Sequence, residues 1–387
     1  MLTTTDMEME GIITRDCITG EMTEVCFAGE NLVKLIPSGE RDAYSYIGPG
    51  LIDLHINGVN GIDFNSPALT VAQMIEATEF LLSTGVTTFL PTVITNSDED
   101  ICTIVRTIAT ACATNKLVNE CVWGIHLEGP FLSPVPGAKG AHEEKLIKAP
   151  DWHLMQKYQQ AADGKIRLIT LAPEWEGSAA FITQCVAHGI IVSIGHSMAN
   201  GEHIQNAIAA GASMATHLGN AVPLTMPRHP NILWELLAAD QLSACIIGDG
   251  LHIPDSFIKV VMKTKGDSTL LVSDATCFAG MPPGEYTNHI GGQVILDDEK
   301  RVSLKSTPGL LAGAARTLTE NVEMIVQHKL GTIGQAWKMA STNVIRFLSK
   351  TDKAIDDKKD YVIFEIRADH VRVQKVVKNG RLVVRNQ

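Results

Sequence analysis

Short apolar runs recur through the middle of the chain, and most are continuous rather than alternating. Eight can be counted: Gly50–Leu54, Val86–Leu90, Val122–Leu127, Ile166–Leu171, Ile190–Ile194, Ser213–Thr216, Ala244–Ile247 and Thr269–Ser273. A continuous run reads as a strand buried on both faces, as in a parallel sheet. Helix-length segments separate most of them. Within Val71 to Leu82 the apolar residues Met74, Ile75, Ala77, Leu81 and Leu82 recur at helical spacing. Such alternation implies right-handed βαβ crossovers, and eight of them close a (β/α)8 barrel of the TIM type. The predicted class is α/β.

The two ends of the chain carry a different pattern. Gly11–Thr14, Thr23–Ala28 and Leu32–Ile36 are short strand-like pieces broken by Gly, Asn and Pro. Tyr361–Ile366, Val371–Val377 and Arg381–Val384 alternate, with Asn379-Gly380 as a hairpin turn. The expected organisation is a small β-sandwich domain built from both termini, residues 1–48 plus 350–387, around a barrel over 49–349.

Composition narrows the partners more than the fold. A formal charge of −11 argues against nucleic acid or an anionic membrane surface, and an anionic substrate then needs a local cationic cluster. Eight cysteines without CxxC pairs fit a reducing cytosol better than a disulfide framework. Met1 to Gly11 hold acids and no basic region before an apolar core, unlike a secretory leader. No apolar run reaches the ~18–20 residues that span a membrane. The expected location is the cytoplasm.

The chemistry gathers where the apolar runs stop. Six of the eight inferred strands end in ionisable or amide groups: His55 and Asn57, Glu128, His196, His217, Asp249 with His252, and Asp274. A lone histidine is usually a surface or hydrogen-bonded core residue. As a set, these groups sit at the C-terminal edge, where barrel enzymes keep their active sites. Glu128, His196 and His217 offer one oxygen and two nitrogens, a set suited to one divalent ion; zinc is preferred, with iron, manganese or cobalt as alternatives. Asp274, beside such an ion, is placed to accept a proton from its water; the bland readings are a fourth ligand or a helix N-cap. Arg228, with His252 and His142, offers the cationic pocket that an acidic chain needs for a phosphate. Alone, Arg228 reads equally as an ordinary loop arginine. Cys277 reads as a packing residue, and no Walker loop or GxGxxG turn points to a nucleotide.

Several segments together resemble the amidohydrolase superfamily, and within it the N-acetylglucosamine-6-phosphate deacetylases. They are Pro49 to Gly58, Gly124 to Phe131, Lys139 to His142, Gly195 to Ser197, Ala215 to Ala221, Asp249 to His252, Val272 to Thr276 and Leu311 to Gly313. The His-Leu-Glu-Gly-Pro and Val-Ser-Asp-Ala stretches are the specific ones. The resemblance implies that Glu128, His196 and His217 hold the metal, that Asp274 is the catalytic acid–base, and that His142 polarises the acetyl carbonyl. It implies substrate contacts at Ala141, His142, Asn220, Ala221, His252, Leu311, Ala312 and Gly313. Arg228 would reach the phosphate of a neighbouring subunit's substrate, which implies a homodimer.

Three departures from the family pattern stand out. Strand one reads His55-x-Asn57 where two-metal members have His-x-His, so one ion is preferred, with His55 and Asn57 open as second-ion or substrate contacts. Arg228-His-Pro-Asn231 replaces Arg-Glu-Pro-Gly. The linker from Lys353 to Asp360 lacks a Gly-rich turn. The expected reaction is metal-dependent deacetylation of a phosphorylated amino sugar of gluco configuration. Alternatives are a galacto-configured substrate, cyclic amide hydrolysis, or a non-catalytic sugar-phosphate-binding barrel.

Overall fold

The computed structural model describes residues 9–39, 43–288, 292–306, 311–351 and 359–386. Most of the Met1 to Gly11 stretch and of the Lys353 to Asp360 linker lies outside the described residues. All eight expected runs form strands of one parallel sheet, in sequence order from first to eighth: Leu51–Ile56, Val86–Ile94, Ile125–Glu128, Ile166–Leu171, Ile191–Ile194, Met214–Ala215, Ser243–Ile247 and Thr269–Val272. The first and eighth meet at the mouth, where Ile56 bridges Ala275 and the Asp274 amide donates to the His55 carbonyl at 2.8 Å. The barrel closes at the end that carries the polar residues.

Continuous apolar runs are what this closure requires, because each strand faces helices outside and other strands inside. Ile52, Leu54, Leu90, Leu168, Ile191, Met214, Cys245, Ile247, Leu270 and Val272 form one buried cluster drawn from seven of the eight strands. Val344, Phe347 and Leu348 of the helix Thr342–Leu348 belong to the same cluster. Fully burying a side chain of this size is worth about 1.5–3 kcal/mol, so this floor fixes the strand ends rigidly. The helix Val71–Ser83 forms where its periodicity predicts. Thr70 caps it by accepting from the Gln73 amide, and the Gln73 side chain closes a capping box.

The terminal segments assemble into one seven-stranded sheet closed on itself. Its order is Met9–Asp16, Met22–Ala28, Asn31–Pro37, Arg381–Arg385, His370–Lys378, Tyr361–Arg367 and Ser45–Pro49. Val25, Phe27, Ile47, Ile363, Val377 and Leu382 fill its interior. The turn between the last two strands has φ of 50° at Asn379 and 76° at Gly380, which Asn-Gly tolerates. The sequence pattern missed Ser45–Pro49, a short strand ending in Gly-Pro. It also missed a four-stranded antiparallel sheet after the eighth barrel strand: Gly284–Asn288, Gly292–Leu296, Arg301–Leu304 and Leu311–Ala314. That sheet rejoins the barrel mouth where Ala314 bridges Ala275.

Candidate active site

Glu128 ends the third barrel strand and is 3 % exposed. Its Oε1 lies 3.2 Å from His196 Nε2 and 3.1 Å from His217 Nε2, and those two nitrogens are 3.1 Å apart. Bonds of about 2.0–2.1 Å at tetrahedral angles put ligand atoms about 3.3 Å apart, so the spacing suits a small divalent ion. His196 Nδ1 faces the Ala138 carbonyl at 3.0 Å, which can only accept. The proton therefore sits on Nδ1 and the Nε2 lone pair looks into the centre, as a metal ligand requires. The donor set fits a divalent ion.

Local backbone strain aims these groups. His196, His217 and Asp274 all have positive φ, at 49°, 26° and 49°. Each such residue costs about 1–3 kcal/mol and persists only where surrounding structure imposes it. Around His196 that structure is visible. Glu174 accepts from Ser197 Oγ at 2.6 Å and from the Met198 amide at 2.9 Å, pinning the turn. On the loop side, a Cβ on Gly140 would come within 2.9 Å of the His196 ring, and Gly140 itself has φ of 56°.

Below the ligands lies a layer of hydroxyls and one imidazole. His126 Nε2 lies 2.7 Å from Thr170 Oγ1, which lies 2.7 Å from Thr216 Oγ1, and Ser193 Oγ joins that hydroxyl at 2.6 Å. Burial holds His126 well below its ordinary value, so it stays neutral. Burial also opposes the charge on Glu128, but the neighbouring His55 outweighs it and holds the carboxyl well below the usual range. Burial lowers His217. His55 goes the other way. Burial works against its charge, yet Glu128 and Asp274 raise it to about 9. Its Nε2 lies between their carboxylates, 3.2 Å from Glu128 Oε2 and 3.1 Å from Asp274 Oδ1.

Asp274 follows the eighth strand and caps no helix; the next residue bridges Ile56. Asn57 Nδ2 donates to its Oδ1 at 2.7 Å. Two of the expectations for strand one thus converge on Asp274 rather than on separate contacts. His142 is buried, with Nε2 3.9 Å from Glu128 Oε2 and Nδ1 2.8 Å from Thr95 Oγ1. Burial, with His196 beside it, pushes His142 down to about 3. This corrects its expected place in a cationic pocket, because a neutral imidazole lends no charge to a phosphate.

His252 is the group with charge to offer. Its Nδ1 lies 2.6 Å from Asp249 Oδ2, and this contact raises it despite burial. Asn220 and Ala221 follow His217, with the Asn220 amide bonded to the His217 carbonyl and Ala221 at φ 50°. Ala141 is exposed beside His142; Leu311, Ala312 and Gly313 are half-buried on the strand that returns to the mouth. Arg228 is exposed, and its guanidinium makes no hydrogen bond or ion pair among the described residues. Cys277 packs beside the core of the added sheet, and burial pushes its thiol up to about 12, so it is no nucleophile. Sequence reasoning missed Thr95, Glu174 and the Ala138 carbonyl, none of which carries a signature of its own.

The sequence profile of the amidohydrolase family matches residues 46–383. The chain belongs to the amidohydrolase family. Among its relatives is an N-acetylglucosamine-6-phosphate deacetylase from Lysinibacillus sphaericus, 33% identical over 346 residues, covering 87% of this chain and 85% of that protein. The deacetylase structure from Pasteurella multocida superposes with a TM-score of 0.82 at 28% identity, covering 98% of this chain and 100% of that one. A variant from Mycobacterium smegmatis, in complex with N-acetyl-D-glucosamine 6-phosphate, has a TM-score of 0.82 at 26% identity, covering 97% of this chain and 100% of that one. An amidohydrolase is a metal-dependent hydrolase, which accords with the His/Glu groups gathered at this mouth. No described helix is long and apolar enough to cross a membrane.

Proposed function

We propose that this chain hydrolyses the N-acetyl group of N-acetyl-D-glucosamine 6-phosphate, giving D-glucosamine 6-phosphate and acetate. The observation that carries the reading is the convergence of Glu128, His196 and His217 within 3.2 Å of one another, in a chain whose relatives share that printed activity over most of their length. One zinc ion per subunit is the cofactor, held by those three residues. When bound, a divalent ion supplies a water of lowered pKa and a Lewis acid for the carbonyl.

The chain's own groups do the rest. Asp274 accepts a proton from the attacking water as the carbon–oxygen bond forms. It returns that proton to the sugar nitrogen as the carbon–nitrogen bond breaks, so acetate and the free amine leave together. His142, kept neutral by burial, donates from Nε2 to the acetyl oxygen as charge grows there. Thr95 Oγ1, 2.8 Å from Nδ1, supports that tautomer by donating to the other nitrogen. His252, charged through Asp249, meets the 6-phosphate, with Asn220, Ala221, Ala141 and Leu311 to Gly313 around the sugar. Arg228 contributes from a neighbouring subunit of a homodimer, which accords with its guanidinium having no partner among the described residues. The working unit is then a cytoplasmic enzyme with a barrel over 49–349 and a β domain from 1–48 plus 350–387.

The test is acetate release by the purified metal-loaded protein. N-acetyl-D-glucosamine 6-phosphate should turn over fastest in a panel containing the galacto epimer, the unphosphorylated sugar and a cyclic ureide. Faster turnover of the epimer or the ureide moves the assignment to that substrate, and no turnover of any leaves a binding protein.

A further inference from the structure

The amide orientations of Asn57 and Asn65, which follow strand one, can be read from their hydrogen bonds. The Ile94 amide donates to Asn65 Oδ1 at 2.7 Å. A backbone N–H has only one role, so Asn65 must present its Nδ2 elsewhere. That nitrogen donates to the Thr92 carbonyl at 3.2 Å and reaches Asn57 Oδ1 at 3.5 Å, the long end of a hydrogen bond. Asn57 in turn points its Nδ2 at Asp274 Oδ1, 2.7 Å away, where an amide oxygen would meet a carboxylate oxygen head-on. Two independent contacts therefore give Asn57 the same orientation. An amide nitrogen has no lone pair for a metal, so Asn57 faces the centre as a donor and not as a ligand. Asn65 is 2 % exposed.

We propose that Asn57, backed by Asn65, is a positioning residue for Asp274. Asn57 Nδ2 donates to Asp274 Oδ1, and His55 Nε2, hydrogen-bonded to Glu128 Oε2, lies 3.1 Å from that same Asp274 oxygen as an ion-pair neighbour. Together they hold the carboxylate plane and leave the other oxygen, on a side chain 21% exposed, to exchange protons with the reacting groups. The backbone adds to the clamp: the Asn57 amide donates to the Ala275 carbonyl at 2.7 Å, and the Asp274 amide to the His55 carbonyl at 2.8 Å. The first and eighth strands are thus locked to each other at the base they share. This inference rests on the reading of Asp274 as the acid–base residue.

The experiment compares Asn57→Leu, Asn65→Ala, Asp274→Asn and the Asn57→Leu/Asp274→Asn double variant. Acetate release from N-acetyl-D-glucosamine 6-phosphate and bound metal are measured for each. Asn57→Leu should lower kcat about tenfold or more with KM within about twofold and metal content unchanged, because a lost orientation acts on the transition state rather than on binding. Asn65→Ala should move the same way by a smaller factor. In the Asp274→Asn background, Asn57→Leu should cost nothing further, as residues acting through one group are not additive. An impaired Asp274→Asn with a wild-type Asn57→Leu overturns the positioning role while leaving the base in place. A wild-type Asp274→Asn overturns the base reading itself. Should Asn65→Ala fail to fold, Asn57→Leu carries the test alone, since its side chain matches the amide in size.

Discussion

Thr95 Oγ1 lies 2.8 Å from His142 Nδ1, joining the residue after the second barrel strand to a loop residue 47 positions later. The approach is close because residue 129 is glycine. A Cβ there would collide with the Thr95 hydroxyl, and Gly129 has φ of 95°. A hydroxyl can donate to Nδ1 or accept from it; in the mechanism proposed above it donates, which leaves the imidazole proton on Nε2, the nitrogen that looks toward Glu128. The pair fixes the orientation of the His142 ring.

Thr95→Val keeps the shape and removes the donor. The imidazole proton then moves freely to Nδ1, and a fraction of the molecules loses the Nε2 donor for the acetyl oxygen. The expected result is a fall in kcat of about tenfold, the scale of one transition-state hydrogen bond, with KM little changed. Thr95→Ser should restore most of it. Equal activity of all three proteins would detach the hydroxyl from catalysis.

His217→Ala addresses the ion. Three protein ligands leave the fourth position of a catalytic site to water, so the purified protein should hold about one equivalent of divalent metal and the variant close to none. The fold should survive, because the apolar floor that fixes the strand ends does not include residue 217. Elemental analysis and circular dichroism together read this. Two tightly held ions in the wild-type protein, one of them lost in His55→Ala, would turn strand one into a ligand strand.

How much of this was legible in the sequence follows from how local each cause is. All eight barrel strands were, because burial on both faces writes a continuous apolar run. Glu128, His196, His217 and Asp274 were too, since each ends or follows such a run. The strand Ser45–Pro49 was not: three of its five residues, Ser45, Gly48 and Pro49, are poor strand formers, and one of its two partner strands lies at the far end of the chain. The added sheet from 284 to 314 escaped because its strands are short and only two of five positions in Gly292–Leu296 are buried. Within the site, Asn65 and Thr95 act through contacts 8 and 47 residues away, and Ala138 acts through its carbonyl, which any residue would supply. The neutrality of His142 was equally hidden, since it comes from burial and a neighbouring imidazole rather than from its own segment.

Phosphate binding should depend on pH through His252. Its folded value is raised above the ordinary 6.5, with Asp249 outweighing burial. The cation is therefore fully present well below that raised value and is lost as pH climbs through it. KM for the phosphorylated substrate should accordingly rise on the alkaline side, while the unphosphorylated sugar shows no such rise. In Asp249→Asn the cause of the upward shift is gone, so the rise should begin at lower pH. A KM profile that is the same for both sugars, or unmoved in Asp249→Asn, would take His252 out of the phosphate site.

The other cation expected at the phosphate is Arg228, and its exposure within the chain makes a specific demand. A chain of net charge −11 must gather positive charge to hold a phosphate. His142 is neutral, so among the residues expected at the phosphate His252 and Arg228 are the ones that carry charge. An arginine gives paired, charge-assisted hydrogen bonds to phosphate, and losing them should raise KM by about 10- to 100-fold. Arg228→Ala should do this for the 6-phosphate substrate and hardly alter the poor turnover of the unphosphorylated sugar. Subunit mixing then tests whose site the arginine serves. An Arg228→Ala subunit retains Asp274, and an Asp274→Asn subunit retains Arg228, so a mixed dimer in which Arg228 crosses the interface rebuilds one site with both groups. Activity at low substrate concentration should then exceed that of either variant alone. If subunits are shown to exchange and no activity returns, Arg228 serves its own chain, and the loop from Pro227 to Asn231 must fold back over the mouth to bring it there.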